Sequence, residues 1–438
     1  MTAILDPPYR AGPPRGLSRA GLPVSAERDT LASELRHWRQ AVIALTDLDL
    51  VASPPAWAGL ESYLGHSVRA GLTATTRRLA RYADRVSAGL SSAATPAELA
   101  AVRADLLRLR RRYLQVETVV GFFGDAIGTR SNPRLTAVMR GLDALAVISM
   151  EKVLTPLGID VPPVLTYLDK GLGASILRVG ARLWDASLSP VAAIKITHHN
   201  LWQPTSLVHE TGHQVAHLTR WNGELAAALE AVLAPHSALT GRIWRSWASE
   251  VAGDVYAFSL LGWAPVPALA TVVDGPSAAV FRMPLGDPHP FGWLRVQFNI
   301  ALCREWYGEG PWDELAETWA GRHPIEAAGP LAREVIAASL PLLPRIVEVC
   351  TRRPMAAFHG RPLSGLADPS KVSPAALARL AERAGPSLYT SSYLQRLESL
   401  RILAWSVLQA QSHDEGGAGQ PQVESWLRTL GGSKQGSS

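Results

Sequence analysis

The sequence predicts a mainly α-helical protein with a small β-sheet, an α+β organisation. Two observations carry this expectation. Apolar residues recur at helical spacing over most of the 438 residues, with no repeat of fixed period. Between Val161 and Thr197 that period gives way to short β-prone pieces, punctuated by Pro162, Pro163, Gly171, Gly173 and Gly180.

Residues 1–25 are rich in Pro, Gly and Arg, offer no apolar face, and read as disordered. A helical N-terminal region covers 26–160. Leu31, Leu35, Trp38, Val42 and Leu45 mark its first helix, and Tyr63–Leu90 forms a second. A third opens at Thr95-Pro96, an N-cap and first-turn pair, and carries Leu99, Val102, Leu106, Leu109 and Tyr113. Leu135–Leu154 is a fourth.

The core segment, 161–325, begins with strands at Val164–Tyr167 and Ala192–Thr197. In the second, Ala192, Ile194 and Ile196 alternate with Ala193, Lys195 and Thr197, the pattern of a half-buried strand. Helices are expected at 204–220, 223–234, 238–262 and 290–307, with Asn222-Gly223 as the stop after the first. A C-terminal helical region, 326–415, holds helices at 329–350, 373–384 and 391–411. Residues 416–438 read as a flexible tail apart from a short Val423–Leu430 piece.

Composition bounds the function. At 47% hydrophobic and 18% charged, the chain is globular rather than disordered or coiled-coil. Two cysteines, Cys303 and Cys350, exclude a disulfide framework and a Cys-rich zinc finger. They suit a reducing compartment, and residues 1–19 lack a signal-like apolar stretch, so a cytoplasmic location is expected. The longest uncharged run, Val255–Val273, is interrupted by Gly262, Pro265 and Pro267; it reads as a helix end and a turn, not a membrane span.

The net charge of +5 is concentrated early, where residues 1–140 carry 19 Arg against 12 acids. The densest patch is Arg108, Arg110, Arg111 and Arg112. No nucleic-acid-binding motif accompanies it, so it reads as a solvated helix face. Walker and dinucleotide-binding glycine patterns are absent, and neither cysteine has a His-rich setting.

The chemistry is concentrated in His209-Glu210-Thr211-Gly212-His213, an H-E-x-x-H pattern. Positions i and i+4 of a helix point the same way, so both imidazoles can hold one metal while Glu210 reaches a water on it. Leu207, Val208, Val215 and Leu218 fall on the opposite arc, so this helix is expected to pack by one face. Zn²⁺ suits such ligands, and catalytic sites hold it with three protein groups. Thr219 occupies the position where a third histidine of the metzincin type would stand. His217 lies one turn past His213 and reads as an exposed polar position.

A carboxylate from a later helix fits better. Trp244, Trp247, Val251, Val255 and Phe258 form an apolar stripe on a helix that also carries Glu250 and Asp254, four apart. Burying an unpaired acid is costly. Glu250 as a metal ligand and Asp254 as acceptor from a ligand histidine is the economical account. An exposed acidic face neutralised by Arg242 and Arg245 is the alternative.

With Asp287-Pro288-His289-Pro290-Phe291-Gly292-Trp293-Leu294-Arg295 added, residues 190–300 resemble the gluzincin metallopeptidases. The order H-E-x-x-H, E-x-x-x-D, H-P…R is similar to the CAAX-prenyl-protease and heat-shock membrane-protease family. The resemblance implies a zincin-like core in which His209, His213 and Glu250 bind one zinc. It implies Glu210 as general base and proton donor, His289 near the oxyanion, Asp254 orienting an imidazole, and Arg295 ordering the site. It leaves open a His-Pro turn of purely structural use at His289. Members of that family are membrane-embedded, so this chain resembles a soluble branch.

The expected activity is hydrolysis of peptide bonds, probed best as an endopeptidase, on a peptide or protein substrate. Ala192–Thr197 is expected to offer a sheet edge to that substrate, with His198 and His199 near the cleft. Tyr256 and Tyr307 read as core, and Met283, Phe291 and Trp293 as pocket lining or packing. The helical flanks are candidates for autoinhibition or a regulatory partner. Two alternatives stand beside this: a regulatory or interaction protein with a structural or degenerate zincin core, and an Arg-rich nucleic-acid-associated factor using Arg103–Arg112.

Overall fold

The computed structural model describes residues 24–171, 174–177, 191–284, 286–411 and 420–432. The disorder expected of residues 1–25 lies outside them, except that Val24 and Ser25 open the first helix. The protein is mainly α-helical with a small three-stranded sheet.

Before the sheet come α1 (Val24–Thr46), α2 (Pro54–Leu64), α3 (Val68–Ser92), α4 (Pro96–Thr129) and α5 (Pro133–Leu154). The single helix expected over Tyr63–Leu90 is two helices, because Gly65 takes a left-handed conformation at φ 67° and ends α2. At the start of α4, Thr95 and Glu98 cap each other's backbone N–H groups.

The sheet comprises β1 (Val164–Asp169), β2 (Ser175–Leu177) and β3 (Ala192–Thr197) in the order β1-β3-β2. β1 runs parallel to β3 with Val164 opposite Ala192, and β2 runs antiparallel to β3 with Ile176 opposite Ile194. The expectation of β3 as a half-buried edge is corrected. It is the central strand, paired on both sides, and Ala192, Ala193 and Ile194 are all buried. The edges are β1 and β2, and β2 lines the cleft; its three residues are too short to show alternation in sequence.

Helices then follow as α6 (Thr205–Leu218), α7 (Trp221–Leu233), α8 (Ala238–Leu261), α9 (Pro265–Val273), α10 (Ser277–Val280) and α11 (Gly292–Tyr307). The chain ends with α12 (Pro311–Arg322), α13 (Pro330–Ser339), α14 (Leu343–Thr351), α15 (Pro374–Ala384), α16 (Ser392–Leu397), α17 (Ser399–Gln411) and α18 (Gln420–Gly432). The stop after α6 is not Asn222-Gly223, which lies inside α7; Arg220 makes the turn in a left-handed conformation at φ 62°. Gly262 ends α8, and Pro265 starts α9 rather than a turn, since proline fits a helix's first position. The helix expected over 329–350 divides at the Leu340–Leu342 turn, which contains Pro341.

In the tail, the expected short Val423–Leu430 piece lies within the longer helix α18, and the rest of residues 416–438 apart from Gln420–Gly432 lies outside the described residues. Val423, Trp426, Leu427 and Leu430 of α18 are buried, and a Cβ at Gly141 of α5 would meet Leu427 O at 2.2 Å. Only a glycine permits that approach. The helix is 13 residues long and amphipathic, longer at both ends than the piece read from the sequence.

The described residues divide into two compact units. One holds 24–50 and 70–117, with Leu31, Leu35, Leu79, Val86, Leu99, Val102 and Leu106 in its core. The other holds 51–69 and the described residues from 118 on. These cuts differ from the segments drawn on sequence: α5 and the helices after residue 325 pack in the same unit as α6 and α8. In this second unit α5, α6 and α8 lie together under the sheet residues and share one hydrophobic core. Among the described residues, no helix is long and apolar enough to cross a membrane.

Candidate metal centre

Two glycines let α6 and α8 meet closely. A Cβ at Gly212 would lie 2.8 Å from Tyr256 Cβ, and one at Gly253 would lie 2.6–2.9 Å from the His209 ring. The His209 imidazole therefore rests directly on the α8 backbone. α5 holds both helices from behind: Tyr256 Oη donates to Ser149 O at 2.6 Å, and Ser149 Oγ meets Thr211 Oγ1 at 2.6 Å. α6 is buried on nearly every side, not on one arc as expected. Its Thr205, Ser206, His209, Glu210 and His213 line a cleft.

On this crossing His209, His213 and Glu250 come together, with one ligand atom from each within 4.8 Å of the others. This group can hold a metal ion. Glu250 Oε2 lies 3.4 Å from His209 Nε2, and Glu250 Oε1 lies 3.3 Å from His213 Nε2. His209 Nδ1 donates to Asp254 Oδ1 at 2.9 Å, which fixes the tautomer and leaves Nε2 as the ligand atom. His213 Nδ1 lies 3.4 Å from Ser249 Oγ.

Arg295 of α11 clamps Asp254 with two bonds, Nε to Oδ2 at 2.8 Å and Nη2 to Oδ1 at 2.7 Å. Its Nη2 also approaches Glu250 Oε2 at 3.5 Å. Asp254 and Arg295 are buried, so the alternative of an exposed acidic face on α8 is set aside. Arg245 pairs instead with Glu230.

The cluster's electrostatics favour a cation. Burial opposes charge on His209, but hydrogen bonds to Asp254 and Glu250 outweigh it and push the imidazole up to about 10. A metal competes with that proton for Nε2. Burial would raise Glu250, yet His209 and His213 hold its carboxyl far below the usual carboxylate range. Burial would raise Asp254 too, but Arg295 and His209 hold it well below that range. Glu210, Glu250 and Asp254 line the same cleft as the Arg295 guanidinium.

The centre floors a cleft of about 550 Å³. Ser175 and Ile176 of β2 line one side, and Leu269, Val272 and Val273 of α9 make an apolar wall. Glu210, 7% exposed, lines the same cleft. His289 sits at its mouth with the side chain half exposed. Its Nδ1 bonds Asp287 Oδ1 at 2.6 Å, and its Nε2 lies 3.3 Å from Glu250 Oε2. All seven site residues named from the sequence thus line one cleft.

Other expectations fall elsewhere. Tyr307 Oη donates to Pro369 O, and Phe291 and Trp293 are buried in the core. His198, His199 and His217 are exposed and do not line the cleft. Sequence reasoning missed Asp287, Asn299, Gly253 and the α9 wall. Asn299 stands one helical turn beyond Arg295, and that spacing was the available signal.

Comparison with protein-family models, curated proteins and solved structures gives no match for this chain.

Proposed function

We propose that this chain is a zinc-dependent peptidase that hydrolyses internal peptide bonds. The observation that supports it most is the buried Glu210 carboxylate lining the cleft beside the three ligand residues. A metal store needs only ligands; a neighbouring base serves catalysis. The donor set fits zinc. Two imidazoles and a carboxylate, with one ligand atom from each within 4.8 Å of the others, are ligand types that zinc takes.

Bound there, zinc supplies a Lewis acid that acidifies water and polarises a carbonyl. Glu210 takes a proton from the attacking water and passes it to the leaving amine. Asp254 keeps His209 in its metal-binding tautomer. When both ring nitrogens carry protons, His289 holds Asp287 through Nδ1 and can donate from Nε2 to the developing oxyanion. β2 offers its edge to an extended substrate, and α9 takes an apolar side chain.

The test measures metal content and peptide cleavage for wild type, His213→Ala and Glu210→Gln. The expected result is about one zinc in wild type and Glu210→Gln, little in His213→Ala, and cleavage by wild type alone. Zinc binding with no cleavage across a broad peptide library would remove the peptidase assignment and leave a metal-binding protein.

A further inference from the structure

We propose that Asn299 is a positioning residue of the metal centre, holding Asp254 so that His209 presents Nε2 to the metal. Asn299 is 3% exposed, on α11, one turn past Arg295. Its Nδ2 donates to Asp254 Oδ2 at 3.1 Å and to Arg295 O at 3.0 Å. Both partners are acceptors only, which settles the orientation of the amide.

The bond completes the environment of Asp254. An ionised carboxylate offers about four lone-pair sites. On Asp254, Oδ1 accepts from His209 Nδ1 and Arg295 Nη2, and Oδ2 accepts from Arg295 Nε and Asn299 Nδ2. Arg295 alone does not fix this geometry, because its Nη2 is shared with Glu250 at 3.5 Å. The second Asn299 bond ties the clamp to the α11 backbone. Without it, Asp254 and Arg295 can rotate together towards Glu250. His209 then loses the acceptor that sets its tautomer. Partners of this kind influence metal affinity by about 10–100-fold.

The inference rests on the three-ligand group and not on peptide hydrolysis. Zinc dissociation constants are measured by chelator competition for wild type, Asn299→Leu and Asn299→Asp, with melting of each metal-free chain. Leu keeps the volume and removes the donor; Asp keeps the shape and puts a second acceptor against Asp254. Zinc affinity is expected to fall about tenfold in Asn299→Leu and further in Asn299→Asp. A merely structural role lowers the metal-free melting temperature and leaves zinc affinity at the wild-type value; that result overturns the proposal. If Asn299→Leu does not fold, Asn299→Asp decides by the same criterion. A wild-type chain that takes up no zinc overturns the zinc centre together with the clamp, whereas lost cleavage with intact zinc binding touches only the peptidase assignment.

Discussion

Two arginine–aspartate pairs, one in each compact unit, show how environment decides what a contact is worth. Arg295–Asp254 lies beside the His209–His213–Glu250 group, and Arg108–Asp105 lies along α4. Their shortest distances are nearly equal, 2.7 and 2.6 Å. The first pair's side chains are 10% and 4% exposed, the second pair's 49% and 39%. Water screens the exposed charges and solvates either one if the other leaves. The buried pair has no such substitute, and breaking it strands a charge. The neighbours of Arg108 are also engaged locally: Arg112 lies 4.2 Å over the Tyr82 ring and Arg110 5.6 Å over Trp38. Distance alone therefore ranks neither pair.

The largest effect expected follows from that contrast. Arg295→Ala should destabilise the protein by about 3–5 kcal/mol and weaken any metal uptake by the His209–His213–Glu250 group. Arg108→Ala should leave the melting temperature unresolved from wild type. Equal melting of Arg295→Ala and wild type would break the comparison.

Next comes the close crossing that the buried pair supports. Gly253→Ala places a methyl against the His209 ring and should cost about 1–3 kcal/mol, with reduced zinc uptake. Gly59→Ala, in α2, meets nothing within 4 Å and serves as the control. It should be neutral or stabilising by up to about 1 kcal/mol. Denaturant titration of the two variants distinguishes crowding at the site from a general helix effect.

The smallest effect expected is in the acid limb of stability of the metal-free protein. Asp254 ionises far below the usual carboxylate range in the folded chain, and near about 3.9 in the unfolded one. Between those values the unfolded state binds more protons. The contribution is thus complete above about pH 4 and lost as pH falls through the folded value. Asp254→Asn should flatten that limb, while Asp105→Asn should scarcely alter it. Matching limbs in both variants would mean that burial does not separate the pairs.

Much of the site was legible because its parts are local. His209 and His213, like Glu250 and Asp254, are four residues apart on helices whose apolar period is plain. Fold class was legible for the same reason. Other features had no local signature. β2 is three residues long, and its place as an edge strand depends on β3 pairing with β1 on the other side. α9 looked like a break because its prolines mark a helix start as readily as an end. The Val423–Leu430 piece was visible, but the flanking composition concealed the full length of α18 and its packing on α5.

By itself the sequence determined the helical body, the two acid-bearing and histidine-bearing helices, and which side chains can bind metal, since helical periodicity and ligand chemistry act over a few residues. Only the tertiary structure decided which of these meet. His209 lies 45 residues from Asp254, which lies 41 residues from Arg295. Their bonds exist because Gly212 and Gly253 let α6 and α8 touch and α11 lays Arg295 and Asn299 across them. Those approaches are set by packing between distant segments, which no local pattern encodes.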